Sequence, residues 1–481
     1  MEDKKITKHF PPVVTVLGHV DHGKTTLLDT IRKTGVAERE HGGITQRIGA
    51  SSVEVESFDS AQGKHENLKR RITFIDTPGH EAFISMRSHG AKAADIALLV
   101  VSSVDGVMPQ TQESIKLLKA TKTPFIVVLT KSDDLHKNPE KVKKQLAKEE
   151  VLLEGYGGDV PSIEVSAREG VQIKELLDLI LLVFDLNPPK VSGESEFEGV
   201  AIESRLDEKA GAKATLVIKN GTLKVRDEIS SESAKCRVRT IIDTEGKHIN
   251  QVSVGEAVEI LGFDKVPSVG SVFTKGLAKP PKTEIIQAPK EAQEGIISLV
   301  LSAETEGALE AVISSLPTGS KVVLKKTGEI TSADVLFAKS TGALVLGFNV
   351  KIRPDVLKLA QTEKVLVKNY NLIYEMLSEI KDAIEGKELS MQEEIYGVAK
   401  VLARFPYEKT EVLGIVVEDG RVAKGDKVRL VRNDEILGES RITSLRQGKE
   451  QISKVEKGGE AGIIISPFLD FTIGDMVICH G

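Results

Sequence analysis

Tryptophan is absent and cysteine nearly so, with only Cys236 and Cys479 in 481 residues. Two thiols so far apart supply neither a disulfide framework nor a zinc cluster, and they suit a reducing compartment. No uninterrupted apolar run approaches the ~18 residues of a membrane-spanning helix. The polar opening MEDKKITKHFPP lacks the apolar core of a secretory signal. An excess of positive charge is missing as well. Lys+Arg 65 against Asp+Glu 71 gives a net charge of -6, so any RNA contact must come from local patches rather than a global basic field. With 28% charged and 40% hydrophobic residues, the composition is globular, and the length suits about three or four domains. A cytoplasmic protein with no membrane association is expected.

What is present is concentrated in GHVDHGKTT, residues 18–26, between the apolar run VVTVL and the helical pattern LLDTIRK. A β-branched run, a glycine-rich turn and a helix start bring several backbone N–H groups to one point, which is an anion site. The spacing is the full G-x-x-x-x-G-K-[ST] pattern: Gly18 and Gly23 let the backbone approach phosphate, Lys24 reaches the β- and γ-phosphates, and the Thr25 hydroxyl can ligate Mg²⁺. Asp21, His22 and Thr26 complete the candidate phosphate-binding set.

Three further strings select the nucleotide. RITFIDTPGH ends an apolar strand with Asp76, placed to hold Mg²⁺ through water, and sets the Gly79 N–H where it senses a γ-phosphate. PFIVVLTKSD ends another with Thr130, Lys131 and Asp133. A carboxylate there accepts hydrogen bonds from the N1–H and 2-amino groups of guanine, which adenine does not offer in that form. SIEVSAREG adds Ser166, Ala167 and Arg168, with backbone groups for the guanine O6. In this order and spacing the strings specify a GTPase.

The chain order gives a multidomain α/β and β architecture. After a charged leader (1–11), fully apolar strands alternate with helices over 12–190, which predicts a P-loop GTPase domain on a mainly parallel sheet. Its polar stretch at 58–70 is read as a solvated hairpin tip. A linker containing NPPKVSGESE leads to short alternating strands over 197–283, a β-barrel in which Asn220-Gly221 signals a tight turn. A second linker, at 284–295, precedes a small α/β sandwich (295–370) without a phosphate motif, where Gly307 is read as a helix-entry glycine. A long helix, 371–388, carries Ile373, Met376, Leu377, Ile380 and Ile384 at helical spacing. Residues 395–481 are β-patterned again, a second barrel.

The first-domain strings resemble translational GTPases. Two of them, GGITQRIGA (42–50) and DTPGHEAF (76–83), are similar to bacterial translation initiation factor two in particular, since elongation-type relatives share DTPGH but usually not GGITQ followed by IGA. The similarity runs over nearly the whole chain from about residue 10 and lacks the long N-terminal region of many members, so a short form is expected. The resemblance implies that Thr45 closes on Mg²⁺ and the γ-phosphate. It makes His80 the residue that orients the attacking water, with Val20 and Ile44 as an apolar gate in front of it, and it places a monovalent cation near Asp21. Thr130 stands where asparagine is commoner, and a threonine can still donate a hydrogen bond to the phosphate loop.

The resemblance makes 371–388 a connecting helix, although a core-packing stripe fits the same spacing. It makes 395–481 the module that holds the formylmethionine end of initiator tRNA. Family members usually carry cysteines where this chain has Ile415 and Ala461, and a basic pair with an aromatic where it has Arg446, Gln447 and Gly448. Arg446, Lys449, Glu460 and Gly462 remain candidate contacts. The implied activity is ribosome-stimulated GTP hydrolysis by a monomer that binds the small subunit with initiator tRNA and promotes joining of the large subunit. Two other readings stay open: a specialised elongation-type tRNA-delivery GTPase, and a GTP-dependent ribosome-binding factor without tRNA selection.

Overall fold

Val13–Gly18 (β1) is buried along its whole length, which places this β-branched run in the middle of a sheet covered on both faces. The computed structural model describes residues 10–34, 45–58, 67–189, 196–276, 296–384, 395–407, 410–432, 435–448 and 450–480. After β1 come α1 (Lys24–Arg32), β2 (Gly49–Phe58), β3 (Asn67–Asp76), a 3-10 turn (Glu81–Phe83), α2 (Ile84–Ala93), β4 (Ile96–Ser102), α3 (Pro109–Thr121), β5 (Phe125–Thr130), α4 (Pro139–Lys148), β6 (Ser162–Glu164) and α5 (Ile173–Leu186). The sheet order is β2-β3-β1-β4-β5-β6, parallel except for the β2–β3 hairpin.

Alternate residues feed two cores, as the period of 2 demands. Val14, Val16, Leu98 and Val100 meet α1 and α5 on one face, whereas Leu17, Leu99, Val101 and Leu129 meet α3 and α4 on the other. The hairpin corrects one expectation: Asn67–Arg70 pair with Val55–Phe58 as strand rather than solvated tip, and residues 59–66 lie outside the described residues.

The next sheet is antiparallel and closes on itself. Its seven strands run from Glu228–Ser230 through Val272–Lys275, Glu198–Asp207, Gly211–Asn220 and Ala257–Phe263 to Lys235–Ile242 and His248–Ile249, and Glu228–Ser230 also pairs with Lys235–Ile242. Asn220-Gly221 makes a turn with Gly221 at φ +66, but its flanking strands do not pair with each other. Thr222–Lys224 pairs instead with Gln251–Ser253. The linkers around 190–195 and 277–295 lie outside the described residues.

A four-stranded parallel sheet follows, ordered Ser320–Thr327, Ile297–Ala303, Leu344–Phe348, Val367–Tyr370, with helices α6 (Glu306–Ser315), α7 (Ser332–Thr341), α8 (Pro354–Glu363) and α9 (Ile373–Ile384). On α9, Ile373, Met376 and Ile380 are buried and Leu377 and Ile384 partly so, in a core shared with Leu299, Leu309 and Phe348. The stripe therefore packs against the sandwich. The same core takes Val13, Ile48, Phe83 and Met86 from the first sheet and Val200, Ile202 and Val217 from the barrel. Three sheets thus meet on one apolar centre.

Residues 390–481 form a separate compact unit. Its strands make a ring in which Ile395–Tyr407 pairs on one side with Met476–His480 and on the other with Thr410–Ala423, around a core of Val401, Leu413, Ile415, Leu430, Leu445, Ile463 and Phe471. Both cysteines are buried free thiols, and burial pushes each up to about 12. Among the described residues no helix is long and apolar enough to cross a membrane.

Candidate nucleotide site

The site forms where β1, β3, β4 and β5 end, the edge of an open α/β sheet at which ligands bind. Gly18, at φ +145, ends β1 so close to the Val100 carbonyl that a Cβ would overlap it. Asp21 and Gly23 follow in left-handed conformation, at φ 60 and +82. No side chain caps the first turn of α1, leaving its amides and the helix dipole directed at the loop.

Lys24 is only 6% exposed. Its ammonium donates to the His19 carbonyl at 2.5 Å, and burial lowers its pKa to about 8 against the pull of Asp76. A Cβ on Gly79 would overlap that ammonium, so Lys24 and the Gly79 backbone address the same point. The Thr25 and Thr45 hydroxyls are hydrogen-bonded at 2.8 Å, and Asp76 is buried at the end of β3. Two hydroxyls and a carboxylate are hard oxygen donors of the kind Mg²⁺ takes, so these residues fit that ion. The His22 ring is buried and its pKa is held down to about 4 by that burial, with His19 and Lys24 adding to the effect. Thr26 is exposed on α1.

At the base end, buried Thr130 donates to the His22 carbonyl at 2.7 Å, tying β5 to the phosphate loop. Lys131 is left-handed and its ammonium meets the Asp105 carboxylate at 2.9 Å. The Ser166 hydroxyl donates to Asp133 at 2.7 Å, which is the main reason the Asp133 carboxyl lies below its ordinary range. Thr30 of α1 donates to the Ala167 carbonyl at 2.8 Å, and Arg168 is exposed. The strings TKSD and SAREG are thus brought together and joined to the phosphate loop.

His80 caps the 3-10 turn. Its Nδ1 accepts from the Ala82 N–H at 3.1 Å, and burial holds its pKa below the usual value. Beneath it lies Arg87, fully buried, donating to the Pro78 carbonyl at 3.0 Å, to the His80 carbonyl at 2.5 Å and to both Glu113 oxygens at 2.8 Å. The Val20 N–H donates to the Gln110 side chain at 3.1 Å; Ile44, its partner in the expected gate, lies outside the described residues. Gln46 donates to the Asn371 carbonyl at 2.8 Å, and Tyr374 lays its ring against His80. The sequence reading missed Arg87, Gln110 and Tyr374, because no motif carries them and only the fold brings them to the loop.

In the 390–481 unit, Ile415 and Ala461 are direct cross-strand partners, as are Val416 and Glu460, and Arg446 and Gly462. Arg446, Glu460 and Gly462 therefore lie on neighbouring strands, while Ile415 and Ala461 belong to the barrel core. Gly448 turns at φ +61, and Lys449 lies outside the described residues.

Residues 11–185 match the family Elongation factor Tu GTP binding domain, 196–276 Elongation factor G domain 2, and 277–381 Translation-initiation factor 2. Translation initiation factor IF-2 of Halothermothrix orenii is 38% identical over 499 residues, which cover 97% of this chain and 71% of that relative. The factor of the same name from Aquifex aeolicus is 38% identical over 500 residues, 98% of this chain; the chain spans 61% of that relative's length. Among solved structures, GDP-bound aIF5B from Aeropyrum pernix aligns over 98% of this chain and 92% of its own at 26% identity, with a TM-score of 0.46.

Proposed function

The chain belongs to the translation initiation factor IF-2 family, and from that premise and the geometry of its site we propose that it binds GTP with Mg²⁺ and hydrolyses it during initiation of protein synthesis. The observation that carries the reading is the meeting of Thr25 and Thr45 at 2.8 Å beside Lys24 and Gly79. In the proposed state, Thr25, Thr45 and Asp76 hold the metal, which supplies charge neutralisation at the β- and γ-phosphates. Lys24 is buried at a pKa of about 8, and a phosphate beside it favours the charged form. The loop amides from Asp21 to Thr26 cradle the phosphates, the Gly79 N–H reads the γ-phosphate, and Asp133 with Ser166, Ala167 and Arg168 holds guanine over Lys131. His80 orients the attacking water, with Val20 and Ile44 guarding its approach. A monovalent cation beside Asp21 belongs to the same reading.

The division of labour follows the chain. Residues 12–190 are the GTPase part, 197–283 a barrel, 295–370 the sandwich, 371–388 a connecting helix and 395–481 the tRNA-end module. The expected partners are the small subunit, the large subunit as stimulator of hydrolysis, and initiator tRNA, for a monomer working in the cytoplasm. Arg446, Glu460 and Gly462, on neighbouring strands, are the candidate contacts of the tRNA-end role.

GTP hydrolysis by the full chain is the test, with and without ribosomes, for the parent and His80→Ala. Stimulation in the parent and its loss in His80→Ala, with GTP binding retained, is expected. Stimulated hydrolysis that survives the substitution overturns the role of His80. Binding of formylated and unformylated methionyl initiator tRNA at fixed salt tests the C-terminal unit, and equal or absent binding favours a ribosome-binding factor without tRNA selection.

A further inference from the structure

We propose that Tyr374, in the first turn of α9, is a latch that holds His80 in its capping position and so restrains hydrolysis until the latch is displaced. The inference rests on the proposed water-orienting role of His80.

The two rings meet edge to face, with centroids 4.3 Å apart and planes at 82°. The near-perpendicular planes are those of a favoured edge-to-face pair. On its other side the imidazole is engaged through Nδ1, which accepts from the Ala82 N–H. A neutral ring that accepts at Nδ1 carries its proton on Nε2. Held this way, the ring is fixed on its own loop, and orienting a water past the Val20–Ile44 gate requires it to leave the cap. Tyr374 stands against that movement.

The latch is fixed by the rest of its helix. Ile373 and Met376 on either side of Tyr374 are buried in the core shared by the three sheets, while Tyr374 itself is 42% exposed. Its ring therefore contributes little to packing α9, and its place over the loop needs another reason. Burial, with the charges of Asp21 and Glu81, pushes its phenol up. Three residues earlier, the Asn371 carbonyl holds Gln46, the neighbour of Thr45. The start of α9 thus touches the segments that follow both Thr45 and Gly79. A partner that shifts α9 would free both at once.

The experiment compares Tyr374→Ala, Tyr374→Phe and the double variant His80→Ala/Tyr374→Ala in the full chain without ribosomes. Loss of one edge-to-face pair shifts an equilibrium about two- to tenfold. Tyr374→Ala should therefore raise ribosome-free GTP hydrolysis by that factor at unchanged KM, Tyr374→Phe should keep the restraint, and the double variant should fall to the level of His80→Ala. The second readout needs no GTP: a nuclear Overhauser contact between selectively labelled His80 and Tyr374 rings, present in the nucleotide-free parent and in Tyr374→Phe. A ring contact with no rise in hydrolysis reduces Tyr374 to packing and overturns the proposal, as does absence of the contact. Failure of the water-orienting role is separate, since it appears as an inert His80→Ala substitution with the ring contact intact.

Discussion

Replacing Glu203 with glutamine should stabilise the protein at pH 8 and leave it nearly unchanged at pH 5. Glu203 is 8% exposed in the barrel strand nearest α6, beside a cavity of about 150 Å³ that is also lined by Arg47, Ile48, Arg205, Lys213 and Glu259. Burial raises its pKa from 4.5 to about 7, although the Ser204 N–H, the Thr305 hydroxyl and the Gly307 and Ile48 backbones hydrogen-bond to it and pull the other way. Desolvation wins because none of these partners is a full positive charge. Below pH 4.5 the carboxyl is protonated in the folded and unfolded chain alike. Between 4.5 and about 7 the unfolded chain has released the proton and the folded chain still holds it, so stability falls as pH rises. Above about 7 the full penalty is present, about 3 kcal/mol for a shift of that size. Glutamine keeps the acceptor oxygen and removes the charge. If the 1–389 unit unfolds as one, the melting temperature at pH 8 should rise by about 4 °C and the gap should close toward pH 5. Melting curves of the two chains across pH 5–8 check this. A gap independent of pH, or one that widens toward pH 5, refutes the reasoning.

Thr130→Val removes the hydroxyl that donates to the His22 carbonyl at 2.7 Å and leaves that oxygen buried without it, at a cost of about 1–2 kcal/mol. GDP affinity measured with a fluorescent analogue should fall about 5- to 30-fold, and unchanged affinity means the link does not order the loop. Arg87→Met leaves the Pro78 and His80 carbonyls and Glu113 without their donor. Glu113 is 28% exposed and can turn to water, so the loss should be about 2–3 kcal/mol, below the 3–5 of a fully buried broken pair. The midpoint of urea unfolding reads it.

The centre of the first sheet was legible because β1, β4 and β5 are apolar throughout, and a strand buried on both faces leaves no other pattern. The phosphate loop was legible because two glycines, one lysine and one hydroxyl must stand at fixed spacing. Helix α2 was not read from the sequence: Met86, Arg87, Gly90, Ala91 and Ala93 are its buried residues, and an arginine with small residues makes no apolar stripe. Arg87 is acceptable there only because Glu113 and two carbonyls lie opposite, which no local pattern reveals. The strand at Asn67–Arg70 was masked by polar residues, since an edge hairpin needs no apolar face where it extends past the sheet. Tyr374 read as one residue of an amphipathic helix, and its meeting with His80 depends on how the sandwich packs against the first sheet.

Three successive residues after Thr45 leave the nucleotide site for different neighbours, and their strengths differ. Arg47 meets Glu304 at 3.2 Å with side chains 59% and 30% exposed, a pair worth at most about 1 kcal/mol and screened by salt. Gln46 to the Asn371 carbonyl is likewise solvent-exposed. Ile48 is 6% exposed in the core that joins Phe83 and Met86 to the barrel and the sandwich, and burying such a side chain contributes about 1.5–3 kcal/mol. The segment 45–48 has no helix or strand of its own, so these anchors set where Thr45 stands, and Ile48 dominates. A nucleotide that draws Thr45 inward must pull on this shared core, and by linkage any partner that repacks the core alters nucleotide affinity by the same factor. The coupling is carried by packing rather than by charge.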